Sequence, residues 1–371
     1  MFRQISYILL LIVLVACSKK ESDRIVHTTN TYAEGFAVEK FDGYSVVEVR
    51  NPWDTIKVLQ RYILVPKSGD LCDEMPDGVV VRTPVERVAV YASLHCGMIA
   101  ELGKSETIIG ICDVHYNADN NLKRRVADGE VADLGSSFLP DVEKIISIAP
   151  EVIIVSSYKD KRDDKVSRLG VPMIEMADYM ESVPLARTEW IKFIAMLFDC
   201  EERADSLFNK TEIEYNDLAK LGREKKNRPT LFCELKTGGV WYQPGGESYM
   251  AQLYRDAGID YLWNDNKEKG SISLSFEEVF ARGADADLWI MKYAEERDKT
   301  LKSLKEEYPP YENLGPYKAK RVWGVNALKV PFYEEMPLYP QNVLRDLMLV
   351  AHPEMFSSAD TTRYFKKLKD E

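Results

Sequence analysis

Two histidines, His95 and His115, stand in short polar stretches, Ala92-Ser93-Leu94-His95 and Cys112-Asp113-Val114-His115-Tyr116-Asn117, each close behind an apolar run. An imidazole so placed can ligate a transition metal axially or act as a plain hydrogen-bonding group. Gly135-Ser136-Ser137, Ser156-Ser157-Tyr158, Trp241-Tyr242-Gln243, Lys292-Tyr293 and Asn326 have the same texture. Hydroxyls, amides and aromatic faces of this kind suit a large, partly apolar small molecule held by a few orienting hydrogen bonds. The candidate contacts are Ser93, His95, His115, Tyr116, Ser136, Ser156 and Tyr158 in the first half of the chain. In the second half they are Trp241, Tyr242, Gln243, Lys292, Tyr293 and Asn326. Trp241 fits a core equally well, and Trp289, inside an apolar run, reads as core.

Other chemistries find less support. There is no GxSxG elbow, HExxH pair, Walker loop or dinucleotide glycine pattern, so an exported hydrolase would have to rest on some pair among the 60 acidic residues. The four histidines, His27, His95, His115 and His352, contain no clustered pair, whereas zinc sites need three or four ligands. Besides Cys17, the cysteines Cys72, Cys96, Cys112, Cys200 and Cys233 form no CxxC pair and read mostly as buried small hydrophobes. A net charge of −11 opposes nucleic acid, whose binding depends on basic patches. No resident metal or cofactor is expected.

The elements that must position these loops follow from the apolar pattern. The chain has 371 residues, 45% hydrophobic and 29% charged, which reads as globular and long enough for two cores of about 150 residues each. Residues 31–79 are β-rich: Tyr44–Arg50 and Thr55–Val65 flank the turn-former Asn51-Pro52-Trp53-Asp54. This extension is expected to complete the sheet of the lobe that follows. Over residues 80–182 short apolar runs (Val88–Tyr91, Ile108–Ile111, Val152–Val155) alternate with helical patterns, which indicates a parallel α/β lobe. Residues 183–226 read as helix throughout, with Ser182 as N-cap, Pro184 in the first turn and Gly222 as the stop. The α/β texture returns over 227–357, with strands at Thr230–Leu235, Val240–Tyr242, Asp287–Met291 and Arg321–Val325, and residues 358–371 read as a tail. In doubly wound sheets, loops at the carboxyl ends of strands form binding crevices, and the candidate contacts fall in such loops.

At the N-terminus Arg3 precedes about a dozen apolar residues, too few for a membrane span of about 20, ending in Leu14-Val15-Ala16-Cys17. This is the pattern of an export signal, and it resembles a bacterial lipoprotein signal. That resemblance implies cleavage after residue 16, lipid on Cys17 and a polar tether over 17–30. Acyl chains, at about 0.8 kcal/mol per buried CH2, would then hold the protein on a membrane.

Three further segments carry a second resemblance: Leu139–Val155 (with Glu151 where Asp is usual), Pro244–Gly258 and Asn342–Phe356. In that order they are similar to the substrate-binding lipoproteins of ABC importers for ferric siderophores, haem and vitamin B12, over about residues 80–355. The resemblance implies two Rossmann-like α/β lobes joined by a long helix, stiff enough for modest closure. It implies a monomeric non-enzyme on the periplasmic side of the cell envelope, partnered by an ABC permease and its ATPase. Its ligand would be a ferric siderophore, haem or cobalamin. Glu143 and Glu247, each near a helix start where the macrodipole favours a carboxylate, would then dock on the permease. No arginine cluster occurs among the candidate loops, which favours a neutral iron chelate or a corrinoid. The alternative is a surface lipoprotein that captures its ligand with an outer-membrane receptor.

Overall fold

The computed structural model describes residues 30–54, 56–71, 75–159 and 165–371, together with the backbone of 24–28. The signal segment, Cys17 and Cys72 lie outside the described residues. The extension forms its own five-stranded sheet: β1 (Arg24–Thr28), β2 (Phe36–Phe41), β3 (Tyr44–Arg50), β4 (Val58–Pro66) and β5 (Val79–Thr83), in that order. Strand pairing therefore begins inside the segment expected to be tether, and the extension runs on to Thr83.

This sheet does not complete the first lobe. One of its faces, with Phe36, Val38, Val47, Val49, Tyr62 and Leu64, packs on the connecting helix through Trp190 and Phe193. Ring centroids lie 5.0 Å apart for Phe36–Trp190 and 5.7 Å for Tyr62–Phe193. Two buried carboxylates fix the β1–β2 linker to that helix. Glu189 accepts the N–H groups of Thr31, Tyr32 and Ala33 at 2.8–2.9 Å, and Glu181 accepts those of Gly35 and Glu34 and the indole N–H of Trp190. Charge-assisted bonds of this kind are about twice as strong as neutral ones. The Tyr62 hydroxyl donates to Met173 O and accepts from Glu175 N, meeting the first lobe's edge strand without extending it.

The first lobe comprises β6 (Val88–Val90), β7 (Ile108–Ile111), β8 (Ala132–Asp133), a ribbon of β9 (Gly135–Ser136) and β10 (Leu139–Pro140), then β11 (Val152–Ser156) and β12 (Met173–Met176). Its sheet order is β12-β11-β6-β7-β8, all parallel. β6 is buried throughout and β11 over all but its last residue, as expected for strands covered on both faces.

The connector is two helices, Pro184–Leu197 and Glu201–Arg223, broken where Asp199 adopts φ 54°. Pro184 occupies the first helical position, so Val183 is the N-cap and Ser182 is not. Gly222 does not end the second helix. A Cβ there would lie 2.0 Å from Asp256 O, so glycine lets this helix meet the second lobe's backbone.

The second lobe contains β13 (Thr230–Cys233), β14 (Lys236–Thr237), β15 (Val240–Pro244), β16 (Asp260–Tyr261), β17 (Ser271–Leu274), β18 (Leu288–Tyr293), β19 (Val322–Asn326) and β20 (Lys366–Lys367). Its main sheet runs β16-β13-β18-β19-β20, with β20 antiparallel, and β14-β15-β17 make a small separate sheet. The expected tail thus belongs to the lobe. Tyr364 and Phe365 are buried, and Asp346 accepts the N–H groups of Arg363, Tyr364 and Phe365. Gly245 and Gly246 permit close approach: a Cβ at either would strike the carbonyls of Glu268 or Asn266 at 2.1 and 2.3 Å. A second crossing joins the lobes, since Phe332 and Met336 pack in the second core and Leu338 in the first. Among the described residues no helix is long and apolar enough to cross a membrane.

Candidate ligand-binding site

Each main sheet has a strand pair at which the chain switches direction: β6 and β11 in the first lobe, β13 and β18 in the second. Crevices outside the carboxyl ends of such pairs are where doubly wound sheets bind ligands. In the second lobe a cavity of about 650 Å3 opens there, lined by Glu234, Lys236, Tyr242, Tyr249, Lys292, Tyr293 and Tyr333 among others.

Glu234 follows β13 with φ 62°, a left-handed conformation that costs a non-glycine residue about 1 kcal/mol or more. It is held by its own backbone, whose N–H donates to Ile290 O and whose carbonyl accepts the Trp289 indole N–H at 2.8 Å. Its carboxylate pairs with the Lys292 ammonium and accepts the Lys292 backbone N–H. Burial disfavours the charged Lys292 side chain, but the Glu234 carboxylate outweighs that and raises its pKa. Tyr242 and Tyr333, 47% and 45% exposed, present rings and hydroxyls to the opening. The cavity therefore offers an ion-paired floor, tyrosine hydroxyls and aromatic faces, with a second lysine, Lys236, whose ammonium bonds Gly238 O and stands 4.8 Å from the Tyr308 ring, and with Glu295 and Glu307 also in its lining.

In the first lobe Tyr91, Ser156 and Tyr158 line a different cavity, of about 620 Å3, whose opposite wall is Leu59, Gln60, Val79 and Val80 of the extension. Residues 160–164, which fall between its lining residues Tyr158 and Ser167 in the chain, lie outside the described residues. The ring of its lining residue Tyr158 lies 6.1 Å from that of Phe138 and 6.4 Å from that of Tyr179. Phe138 is 70% and Tyr116 58% exposed.

The expected contacts divide. Tyr242, Lys292 and Tyr293 share the second-lobe cavity, while Ser156 and Tyr158 line the first-lobe one. His115 and Tyr116 are exposed neighbours with rings edge-on at 5.2 Å, and Ser136 is exposed on the β9–β10 ribbon. Four expectations are corrected by burial. Trp241 is fully buried among Phe232, Trp289 and Tyr311, because β15 turns it into the core and leaves Tyr242 outside. Gln243 lines the cavity but is buried, and both ends of its amide are used on the Cys233 backbone. Asn326 is buried and ties down the Glu295–Asp298 loop. His95 lies inside the helix Ser93–Glu101, 0% exposed and 3.4 Å from Asp178, away from any open loop. Ser93, at that helix's first position, bonds with Glu334 of the second crossing, which also accepts Ala118 N–H at 3.1 Å.

Sequence reading missed Glu234, Tyr333 and Phe138. Glu234 was placed in a strand that ends one residue earlier, at Cys233. Among the described residues no group of three or more His, Cys, Asp or Glu is placed to hold a metal ion. Glu143 is exposed in the first turn of the helix Val142–Ile148. Glu247 is exposed just before Ser248, the N-cap of the helix Tyr249–Asp256, and lies 3.5 Å from Lys267.

Comparison with known proteins adds the following. Residues 88–326 match the family described as "Periplasmic binding protein". A lipoprotein of Methanocaldococcus jannaschii is 28% identical over 305 residues, 77% of this chain and 70% of the relative. An iron-uptake system-binding protein of Bacillus subtilis is 22% identical over 67% of this chain and 76% of its own length. Among solved structures, a periplasmic heme binding protein from Pseudomonas aeruginosa superposes with a TM-score of 0.59 at 13% identity, covering 77% of this chain and 98% of that one. The Fe3+-hydroxamate transport system protein of Saccharomonospora viridis does so at 0.58 and 18%, covering 72% and 93%. These likenesses extend to the two-lobed, helix-linked fold.

Proposed function

This chain belongs to the periplasmic binding protein family, and from that premise we propose that it captures an iron chelate or a corrinoid and delivers it to an ABC permease. The observation that carries the reading is the second-lobe cavity, with its Glu234–Lys292 floor and exposed Tyr242 and Tyr333. Because Lys292 is paired with Glu234, and Glu295 and Glu307 share the lining with Lys236, an anionic ligand would gain little there, which favours a neutral chelate or a corrinoid whose large surface tyrosines can cover. Iron uptake and ferric hydroxamate stand in the names of two of the relatives, which supports an iron chelate as the ligand. Cys17 would carry the lipid that holds the protein to the envelope. Glu143 and Glu247, exposed on separate lobes, would meet the permease, with transport driven by ATP hydrolysis in its partner subunit. Two chain crossings between the lobes resist a wide hinge, so ligand should change the scattering radius of gyration only slightly.

The test is tryptophan-fluorescence titration of the detergent-solubilised full chain against ferric siderophores, haem and cobalamins, with recovery of the ligand afterwards. Saturable sub-micromolar binding of one class, the ligand returned intact, is expected. Silence across the panel from a folded protein would overturn the reading, and chemically altered ligand would favour an exported hydrolase.

A further inference from the structure

Where the lobes meet, one buried guanidinium touches both. Arg187, in the connecting helix Pro184–Leu197, is 3% exposed. Its Nη2 and Nε donate to one oxygen of Asp178 at 2.8 and 3.2 Å, and the other Asp178 oxygen lies 3.4 Å from His95 Nε2. On its other side the guanidinium stands 4.4 Å from the centroid of the Tyr249 ring, with Nη1 3.6 Å from Met336 Sδ. His95 and Asp178 belong to the first lobe. Tyr249 opens a second-lobe helix and lines the 650 Å3 cavity, and Met336 sits in the second crossing. A planar guanidinium can grip a carboxylate with its fork while offering its face to a ring; a lysine cannot do both.

We propose that Arg187 is the positioning residue of the ligand cavity, holding the Tyr249 ring against Asp178 so that contact with Tyr249 is felt at the lobe junction. The ligand half of this claim rests on the proposed function; the positioning half can be measured without ligand. Arg187→Met alone would leave Asp178 a buried charge with only His95 beside it. The informative variant is therefore Arg187→Met with Asp178→Asn, beside Arg187→Lys, Tyr249→Leu and Tyr249→Phe.

The experiment is hydrogen exchange on the unliganded full chain in detergent. Amides of residues 252–256 and 336 should exchange at least ten-fold faster in the double variant and in Tyr249→Leu. They should shift by an intermediate amount in Arg187→Lys and in Tyr249→Phe, which keeps the ring but loses the hydroxyl that also bonds Arg187. Strands β18 and β19 serve as the standard and should not change. Acceleration confined to residues 178–187, or spread evenly through β18 and β19, would overturn the proposal. A wild-type chain that shows this pattern under substitution but binds no chelate would overturn the ligand reading alone. Where a chelate binds, its affinity should fall at least ten-fold in the double variant, and an unchanged affinity would overturn the coupling.

Discussion

Each lobe opens a crevice where its chain switches direction, yet the two crevices are finished differently. In the first, β6 and β11 end at Tyr91, Ser156 and Tyr158, and the facing wall is borrowed from the extension through Leu59, Gln60, Val79 and Val80. In the second, β13 and β18 end at a strained glutamate paired with a lysine, ringed by tyrosines of the lobe and the second crossing. Both lobes place an acidic residue in the left-handed region just past a strand, Asp113 at φ 51° and Glu234 at φ 62°. Asp113 spends its carboxylate on the Ser137 N–H, beside the β9–β10 ribbon, whereas Glu234 faces a cavity. The first lobe is thus braced by the extension, and the second carries the paired charges and exposed tyrosines.

The largest expected effect breaks the comparison at its base. Trp241→Ala hollows the core beneath the second crevice and should cost about 3–5 kcal/mol. Denaturant unfolding would measure it, with hydrogen exchange rising in the second lobe and little changed in β6 and β11.

Acid should act at the junction instead. Burial raises the Asp178 carboxyl, but Arg187 and then His95 outweigh it, and its pKa is lowered from 3.8 to about 2. The folded state therefore binds this proton more weakly than the unfolded chain. The stabilisation, roughly 2 kcal/mol, is complete above about pH 4 and is lost as pH falls towards 2. Burial moves the carboxyls of Glu181 and Glu334 upward, so their contribution has the opposite sign, stability rising as pH falls through their range. Unfolding free energies between pH 2 and 5 should show the Asp178 loss in the native chain and not in Asp178→Asn.

Smaller again is the expected effect of the two exposed acids. Glu143→Lys or Glu247→Lys should slow association with the permease about ten-fold, because exposed charges steer docking, and leave chelate affinity unchanged. Surface-binding kinetics at two salt concentrations would measure this, and unaltered association and transport would remove the docking role.

What was legible in the sequence follows from range. Val152–Val155 announced a parallel strand because both its faces are covered, and Tyr44–Arg50 with its partner announced a hairpin because the turn between them is local. The clamp of Glu181 and Glu189 was hidden, since its partners are backbone groups some 150 residues away. His95 looked like a loop ligand for the same reason: its neighbour Asp178 lies 83 residues on. The last strand was missed because two lysines carry no strand pattern, although the buried pair Tyr364-Phe365 just before them was the available signal. At Trp241-Tyr242-Gln243 the strand's alternation decided which side chain faces out, and composition alone does not give that phase.

The central claim is that ligand is read mainly by the second crevice. The most direct measurement is the dissociation constant of the bound chelate for the native chain, for Tyr242→Ala with Tyr333→Ala, and for Tyr158→Ala. The account predicts at least ten-fold weakening in the second-lobe pair and three-fold or less in Tyr158→Ala, with all three equally stable. Equal weakening, or a larger loss in Tyr158→Ala, would contradict it.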